Sequence, residues 1–418
     1  MNAAMALRLA FVAPALVIAL GACGSTASTS SGAAAAADLS EAPSPKAAYT
    51  FVLQARSSED PADPSGTYLV PPGASAKDAS PTINDKGDVA IDLITADDIE
   101  HVFAGGKVRF SGPDPDATIS GTSINEAGDV AFDVWNGATG NGVYTYSAAT
   151  GAATFLSSEP LGAVSWGNVS NRPSNGKIGV RPSGGSTRYL GFLDADGFTK
   201  LAVENGTSPT SPYSYIFGPE FDRAGRAAAK VQLVAGGNDI RIFTLGAAPI
   251  VIVQDHDANP ASTYVSLDNG VGFNELGQVT FVAKVGARRG VYLTDGTHTT
   301  TIASEGAADV AQITYFTPVV NDAGSVAFRG MDTNGNNAIW TGNGTTLAKV
   351  ITAGDILPSD QGDAAAIPEV ASDATNTTVF GGGLAINAKG QIAFLAALAS
   401  SSRRTTRLGT GFYVATPR

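Results

Sequence analysis

One nine-residue phrase recurs in phase along the chain and limits what it can fold into more than any other feature. It reads INDKGDVAI from Ile83, INEAGDVAF from Ile124, FNELGQVTF from Phe273, VNDAGSVAF from Val320 and INAKGQIAF from Ile386. Weaker copies are FDRAGRAAA from Phe221 and RPSNGKIGV from Arg172, the latter with Pro173 where the others carry Asn. The structural turn glycines fall at Gly87, Gly128, Gly176, Gly225, Gly277, Gly324 and Gly390, at intervals of 41, 48, 49, 52, 47 and 66 residues. A repeat of this length signals an array of small units that bury a core only by stacking.

The phrase reads as a hairpin. Asn bonds its side chain to the backbone two residues on, and Gly supplies the positive φ that closes a type I turn with a bulge. The residues that follow alternate, so Val130, Phe132 and Val134 share one face of a strand while Ala131 and Asp133 take the other. Between copies lies a second hairpin, clearest from Gly290 to Glu305, where Asp295-Gly296 is the turn signal. Parallels run from Gly142 to Glu159, Tyr189 to Glu204 and Ala338 to Asp355. Each period therefore holds four short strands, and no long helix is expected.

The strand count closes on itself. The last strand of the unit occurs around Phe51, Val108, Thr154, Lys200, Val251, Thr301 and Val350, and its partner around Val102, Val143, Leu190, Ile242, Val291, Ile339 and Phe412. The chain begins with an unpartnered last strand (Thr50 to Leu53) and ends with an unpartnered partner (Gly411 to Val414). Pairing the two ends completes a β-propeller of seven four-stranded blades, which hides its sheet edges by radial repetition. A six- or eight-bladed ring, or two sandwiches, is the competing arrangement. Length alone, at 418 residues, would suggest two or three domains; the repeat argues for one repeating body over 49–418.

The N-terminus carries an address. Arg8 precedes an apolar run from Leu9 to Leu20 that is too short to span a bilayer, and the run ends in Leu20-Gly21-Ala22-Cys23. This resembles the lipobox of bacterial lipoproteins. It implies a signal peptide over 1–22, lipidation of Cys23 and, with Gly24 following, an outer-membrane destination. An ordinary secretory peptide with a chance Cys is the alternative. Cys23 is the only cysteine, so it has no internal disulfide partner. Residues 23–48 are mostly Ser, Thr, Ala, Gly and Pro and read as a flexible tether.

The complete set Asn, Gly, Ala and Phe stands at Asn125/Gly128/Ala131/Phe132, Asn321/Gly324/Ala327/Phe328 and Asn387/Gly390/Ala393/Phe394. With these residues the chain resembles the bacterial choice-of-anchor family named for its tandem NxxGxxAF repeat. The other copies depart at one or more positions, which puts the regularity of the third and fourth units in doubt. The resemblance implies a surface repeat protein and brings no established activity.

Charge narrows the partners. A net charge of −12 with no basic cluster argues against nucleic acid, which needs Lys and Arg to displace counterions. An acidic residue closes each last strand: Asp60 (or Glu59), Asp114, Glu159, Glu204, Asp255, Glu305 and Asp355. These form either loop-amide acceptors or a candidate acidic ring that draws cations or a basic partner to one face. A second series, five residues after each repeat Gly, comprises Asp92, Asp133, Arg181, Lys230, Val282, Arg329 and Leu395, and its mixed signs suggest salt bridges between blades. The long last interval carries Asp360, Asp363, Glu369 and Asp373 and reads as a solvated excursion or a lid. Its Gly381-Gly382-Gly383 lacks the strand–helix context of a phosphate loop.

Chemistry is thinly marked. Oxygen clusters at Asp332 to Asn336 and Asp255 to Asn259 lack the distal acid of a calcium loop, and His101, His256 and His298 are too scattered in sequence to suggest zinc. No cofactor is expected, calcium being the one metal with any signal. Ala163 to Gly167 is a poor match to a nucleophile elbow, and no catalytic residue stands out. Trp166, Tyr215, Phe217, Tyr264, Phe316 and Phe380 suit blade packing, or sugar stacking if exposed. The leading expectation is a monomeric, membrane-tethered, non-enzymatic propeller that binds a protein or glycan. An exported hydrolase or lyase acting on extracytoplasmic glycan, with carboxylates at a propeller mouth, is the alternative. A surface spacer without a ligand is a third reading.

Overall fold

The computed structural model describes residues 49–56, 80–95, 97–158, 164–360, 364–366, 379–401 and 407–418. The signal segment, Cys23, the tether, Asp60, Glu159 and the loop acids Asp363, Glu369 and Asp373 lie outside the described residues.

Seven antiparallel sheets follow one another as the blades of a seven-bladed β-propeller. Blade 1 consists, from hub to rim, of Thr82–Ile83, Val89–Ile94, Glu100–Ala104 and Lys107–Ser111. Blade 2 repeats this with Thr118–Ile124, Val130–Trp135, Gly142–Ser147 and Ala152–Ser157. Blade 4 spans residues 213–254, blade 5 residues 264–304 and blade 6 residues 310–352. Blade 7 is built from both chain ends: Ile392–Ser400 pairs with Arg407–Pro417, which pairs with Tyr49–Arg56. The closing register runs from Tyr49 opposite Pro417 to Arg56 opposite Gly411, with one bulge between Leu53 and Ala55. The expected ring closure is thus observed.

The blades stack because each repeat strand is large on one face and small on the other. Phe132, Phe281, Phe328 and Phe394 are fully buried toward the preceding blade. Each lies nearly parallel to an aromatic ring on the neighbouring strand: Tyr144 at 5.6 Å, Tyr292 at 5.4 Å, Trp340 at 6.3 Å and Tyr413 at 5.7 Å. One residue earlier, Ala131, Ala327 and Ala393 face the following blade, and the missing bulk lets its apolar face close against the strand.

All seven repeat glycines have φ between +74° and +96°, the left-handed conformation that the turn requires. The Asn three residues earlier acts twice. Asn321 Oδ1 accepts the amides of Ala323 (3.1 Å) and Ser325 (3.0 Å) in its own turn. Its Nδ2 donates to the carbonyl of Asn387 in the next blade, 3.0 Å away. Asn274 reaches Asn321 O in the same way (3.0 Å), Asn387 reaches Asn84 O (2.9 Å) and Asn84 reaches Asn125 O (3.0 Å). These side chains form a belt around the hub from blade 5 through blades 6, 7 and 1 to blade 2.

The belt changes composition where the phrase does. In blade 4 Asp222 replaces Asn and has no side-chain N–H to give. Arg226 substitutes, holding Asp222 Oδ2 at 2.5 Å and donating to Glu275 O at 2.9 Å. In blade 3 Pro173 stands at the Asn position, and Ser174 bonds to Arg223 O through its amide and its hydroxyl. The hub strand of that blade is reduced to the bridges Ser165 to Ser183 and Ser170 to Gly179. The doubt over units three and four therefore resolves unequally: blade 4 is complete, and blade 3 keeps only Ile178–Val180, Thr187–Asp194 and Gly197–Val203 as its main strands.

The long last interval is partly built into the sheet. Ile356–Pro358 pairs with Ala364–Ala366, which pairs with Ser400 and Ala399 of blade 7. Asp360 receives Arg56 Nε at 2.6 Å, and Tyr413 Oη donates to Pro358 O at 2.9 Å. Its described beginning is thereby tied to the strand pair that closes the ring.

Substituting Asn321→Asp keeps the acceptor for the turn amides but removes the donor and sets a carboxylate against the Asn387 carbonyl. The variant should lose about 1–3 kcal/mol in equilibrium denaturation, as expected for a buried polar group deprived of its partner. An unchanged midpoint would show that the belt is incidental to stability.

Candidate functional site

The residue after each belt position turns toward the ring axis. These residues are Asp85, Glu126, Ser174, Arg223, Glu275, Asp322 and Ala388. A second set of bonds links them between blades. The amide of Ala388 donates to Asp85 Oδ1 (2.8 Å), that of Asp85 to Glu126 Oε2 (3.0 Å), that of Arg223 to Glu275 Oε2 (2.8 Å) and that of Glu275 to Asp322 Oδ1 (2.9 Å).

Arg223 crosses the axis. From blade 4 its Nη2 lies 2.8 Å from Asp85 Oδ2 in blade 1 and 2.7 Å from Glu126 Oε1 in blade 2, with Glu275 of blade 5 at 3.8 Å. Arg172 adds a second guanidinium, 3.6 Å from Glu275 and 3.9 Å from Glu220. Burial works against the charge of Arg223, but its bond to Asp85 and the nearby Glu126, Asp85 and Glu275 charges outweigh this and raise its pKa. Burial likewise pushes against ionised Asp85, yet the Ala388 amide and Arg223 hold its carboxyl below the ordinary value. Glu275 is pushed up by burial, against the pull of the Arg223 amide and of Arg172. Glu220 is also pushed up by the desolvation of its carboxyl, which Arg172 only partly offsets. Its side chain nonetheless keeps 41% of its surface open to the channel.

This cluster forms one end of an axial channel of about 1400 Å³. The hub strands that wall it mix hydroxyls and amides, including Ser80, Thr118, Ser120, Asn168, Asn269 and Thr317, with apolar side chains such as Ile119, Val169, Val271 and Phe316. Neighbouring hub strands approach so closely that a Cβ on Gly270 would sit 1.7 Å from Thr317 Oγ1.

The acids that close the last strands lie elsewhere and serve the backbone. Glu204 accepts the Ile216 amide at 2.7 Å, and Glu305 accepts those of Arg289 and Ile313, both at 3.0 Å. Asp255 accepts the Asn238 and Ala258 amides, Asp114 those of Asp116, Ala117 and Ala138, and Asp355 that of Thr352. Glu204, Asp255 and Asp355 are almost fully buried. Of the two readings of this series, the loop-amide one describes these five residues, and they do not present an open annulus. Glu100, which the series omits, accepts the Ile119 amide at 2.6 Å, the counterpart of the Glu204 bond.

The mixed-sign series does join blades, though through backbone groups rather than salt bridges. Arg181 donates to Ile216 O at 2.8 Å and 2.6 Å, Lys230 to Leu267 O at 2.9 Å, and Arg329 to Phe380 O, each in the following blade. Asp133 accepts the Ser165 hydroxyl (2.8 Å) and the Trp166 amide (3.0 Å). Where Val282 cannot donate, Arg289 from the adjacent strand reaches Ile313 O and also pairs with Asp268. Burial lowers the pKa of Arg181 and Lys230 and brings Arg329 down to about 9. The rings of Tyr215, Phe217, Tyr315 and Phe316 lie over these cations at 3.2–5.6 Å. Trp166 and Phe380 are buried packing residues; Tyr315, which was not among the expected aromatics, is 82% exposed at the channel wall.

The two oxygen clusters act as turns. Asp332 accepts the Asn334 and Asn336 amides and pairs with Lys349 at 2.6 Å, while Asp255 is held by Asn238. Among the described residues, no three His, Cys, Asp or Glu side chains gather as a metal site requires.

Comparison with known proteins adds little beyond the architecture. A family of unknown function (DUF7453) matches residues 274–411, from the blade 5 turn into blade 7. No curated protein matches. A chain of a mitotic checkpoint complex is similar at 11% identity and a TM-score of 0.48, over 96% of this chain and 98% of that one. The β-propeller domain of the Trilobed protease from Pyrococcus furiosus is similar at 11% identity and a TM-score of 0.46, over 82% and 98%. A puromycin-hydrolyzing peptidase from Mycobacterium tuberculosis is similar at 11% and 0.48, over 82% of this chain and 55% of that one. At such identities and scores, no residue here acquires a role from them.

The axial charges predict how stability changes with pH. Glu220 and Glu275 have raised folded pKa values, so the folded state takes up protons first and gains stability as pH falls through that range. Asp85, Asp332 and Asp309, the last lowered to about 2, stabilise the fold above the unfolded carboxylate pKa, and that contribution is lost in stronger acid. The denaturation midpoint should rise as pH falls from neutrality toward the ordinary carboxylate range and fall again in stronger acid. Glu220→Gln should flatten the rise and raise the midpoint at pH 7.5; a lower midpoint at that pH would contradict the assignment.

Proposed function

We propose that the chain is an exported propeller lipoprotein that is lipid-anchored through Cys23 in the cell envelope, at the outer membrane, and holds a polar ligand in its axial channel without transforming it. The observation that carries the binding role is the channel itself. It is walled by hydroxyl and amide groups interspersed with apolar side chains, and its floor is braced across the axis by Arg223. Convergent polar groups in one large concavity are the usual mark of a binding site. The anchor rests on Leu20-Gly21-Ala22-Cys23 and the Ser/Ala-rich tether, and the surface setting on the resemblance to tandem NxxGxxAF proteins. Lipidation would hold such a body at a membrane through its acyl chains. The alternative, a hydrolase or lyase acting on extracytoplasmic glycan, draws on Glu220, a channel-lining carboxyl with a raised pKa that shares Arg172 with Glu275, whose pKa is also raised.

Two variants separate the parts of this proposal. Cys23→Ser should move the protein from the membrane fraction to the soluble fraction; unchanged partitioning would reject lipidation. Ser120→Trp places bulk on the channel wall. In a thermal-shift panel of neutral oligosaccharides, amino acids, short peptides and amines, at least one compound should stabilise the full chain but not this variant. Equal responses of both proteins to every compound would reject channel binding. Release of reducing ends from a glycan would instead favour the enzyme.

A further inference from the structure

Blade 1 departs from the repeat at one place outside the channel. In blades 5 and 6 the strand pairs Val291–Ala303 and Ile339–Ile351 are followed by Gly290 opposite Ser304 and Ala338 opposite Thr352. The same step in blade 1, from Val102 opposite Phe110, sets His101 opposite Ser111. The hydroxyl belongs to the repeat; the imidazole beside it does not. Ser111 Oγ lies 2.9 Å from His101 Nδ1, Thr95 Oγ1 lies 2.8 Å from His101 Nε2, and Thr95 donates to Asp97 Oδ1 at 2.5 Å. The turn that presents Thr95 and Asp97 holds Asp98 at a φ of 63°, a left-handed conformation that residues other than glycine adopt rarely. None of these side chains lines the channel.

Each bond in this row assigns the next. The bond from Thr95 holds the Asp97 carboxyl below the ordinary value, so it is ionised near neutral pH and only accepts. Thr95 has one hydroxyl proton, and the 2.5 Å contact to Asp97 takes it in preference to Ile99 O at 3.2 Å. Thr95 Oγ1 therefore accepts from His101 Nε2–H. Burial lowers the His101 pKa against the pull of Asp97, which keeps the ring neutral near neutral pH. A neutral ring with its proton on Nε2 has a bare lone pair at Nδ1, and the Ser111 hydroxyl donates to it. An exposed serine thus has its proton directed at a base.

We propose that Ser111 is a nucleophile, with His101 as its general base, in a second site on the outer strands of blade 1 that transfers the acyl group of small esters to water. It is independent of binding in the channel. Ser111 Oγ bonds to the ester carbon as Nδ1 takes the hydroxyl proton, and the bond to the alcohol breaks as that proton passes to the leaving oxygen. Water then attacks the acyl carbon and gives a proton to Nδ1; the acid departs, and Nδ1 returns the proton to Ser111 Oγ. While the ring carries both protons, Asp97 steadies the charge through Thr95, which acts as a positioning residue. Ser111 stands at the exposed end of a rim strand, so an acyl group reaches it from solvent.

Reaction of the full chain with a fluorophosphonate and with p-nitrophenyl acetate tests the proposal. Peptide mass mapping should find one phosphonyl adduct, on Ser111, with fluoride displaced. Hydrolysis of p-nitrophenyl acetate should fall about 100-fold or more in Ser111→Ala and in His101→Gln, the scale of a lost nucleophile or general base. Thr95→Val should lower kcat and Thr95→Ser should keep it, and nitrogen NMR of the His101 ring should place its proton on Nε2 only where residue 95 keeps its hydroxyl. Ser304→Ala, at the corresponding place in blade 5, should change neither reaction. Ser111 is exposed, so Ser111→Ala should unfold at the wild-type midpoint, which separates lost chemistry from lost fold. No adduct, adducts spread over several serines, or hydrolysis by Ser111→Ala at the wild-type rate, as an imidazole acting alone would give, would overturn the proposal.

Discussion

The side-chain amide of Asn in the repeat turn is the interaction on which the rest depends. At the hub, seven hairpins crowd together and their backbone groups leave water. Asn answers this with its two ends. The oxygen accepts the turn's own amides, and the nitrogen donates to the carbonyl of the next turn. A linear repeat becomes a closed one because Asn387, in the last copy, reaches the carbonyl of Asn84, in the first. Aspartate can fill only the accepting role, which is why blade 4 recruits Arg226 as the donor.

That turn geometry also creates the candidate site. Holding Asn in place directs the following residue toward the axis, so the composition of one repeat position sets the charge of the channel floor. Acids occupy it in blades 1, 2, 5 and 6, and Arg223 stands in blade 4, where a single guanidinium can span to three other blades. The acids closing the last strands have the opposite fate. Their loops fold back to bring amides within reach, and a carboxylate satisfied by two or three amides is a structural cap rather than a free charge.

Much of the architecture is legible residue by residue. Gly87 and its counterparts mark the turns, and the step from Ala131 to Phe132 marks two faces of unequal bulk. The unpaired first and last strands already point to closure. The interactions between blades are less legible. Val282 breaks the series of bridging side chains, yet the bridge persists because Arg289 supplies the donor from the neighbouring strand. A position-by-position reading sees equivalent places in the sequence; a hydrogen bond requires only an equivalent place in space.

By itself the sequence determined the strands, the turns and their repetition, because each follows from local alternation and backbone conformation repeated in phase, and it pointed to seven blades closed by the chain ends. Only the tertiary structure decided that Glu204 and Asp255 turn into loops while Arg223, Asp85, Glu126 and Glu275 meet at the axis. The physical reason is distance. Asp85 and Arg223 lie 138 residues apart along the chain and 2.8 Å apart across the ring, and electrostatic energy depends on the second number.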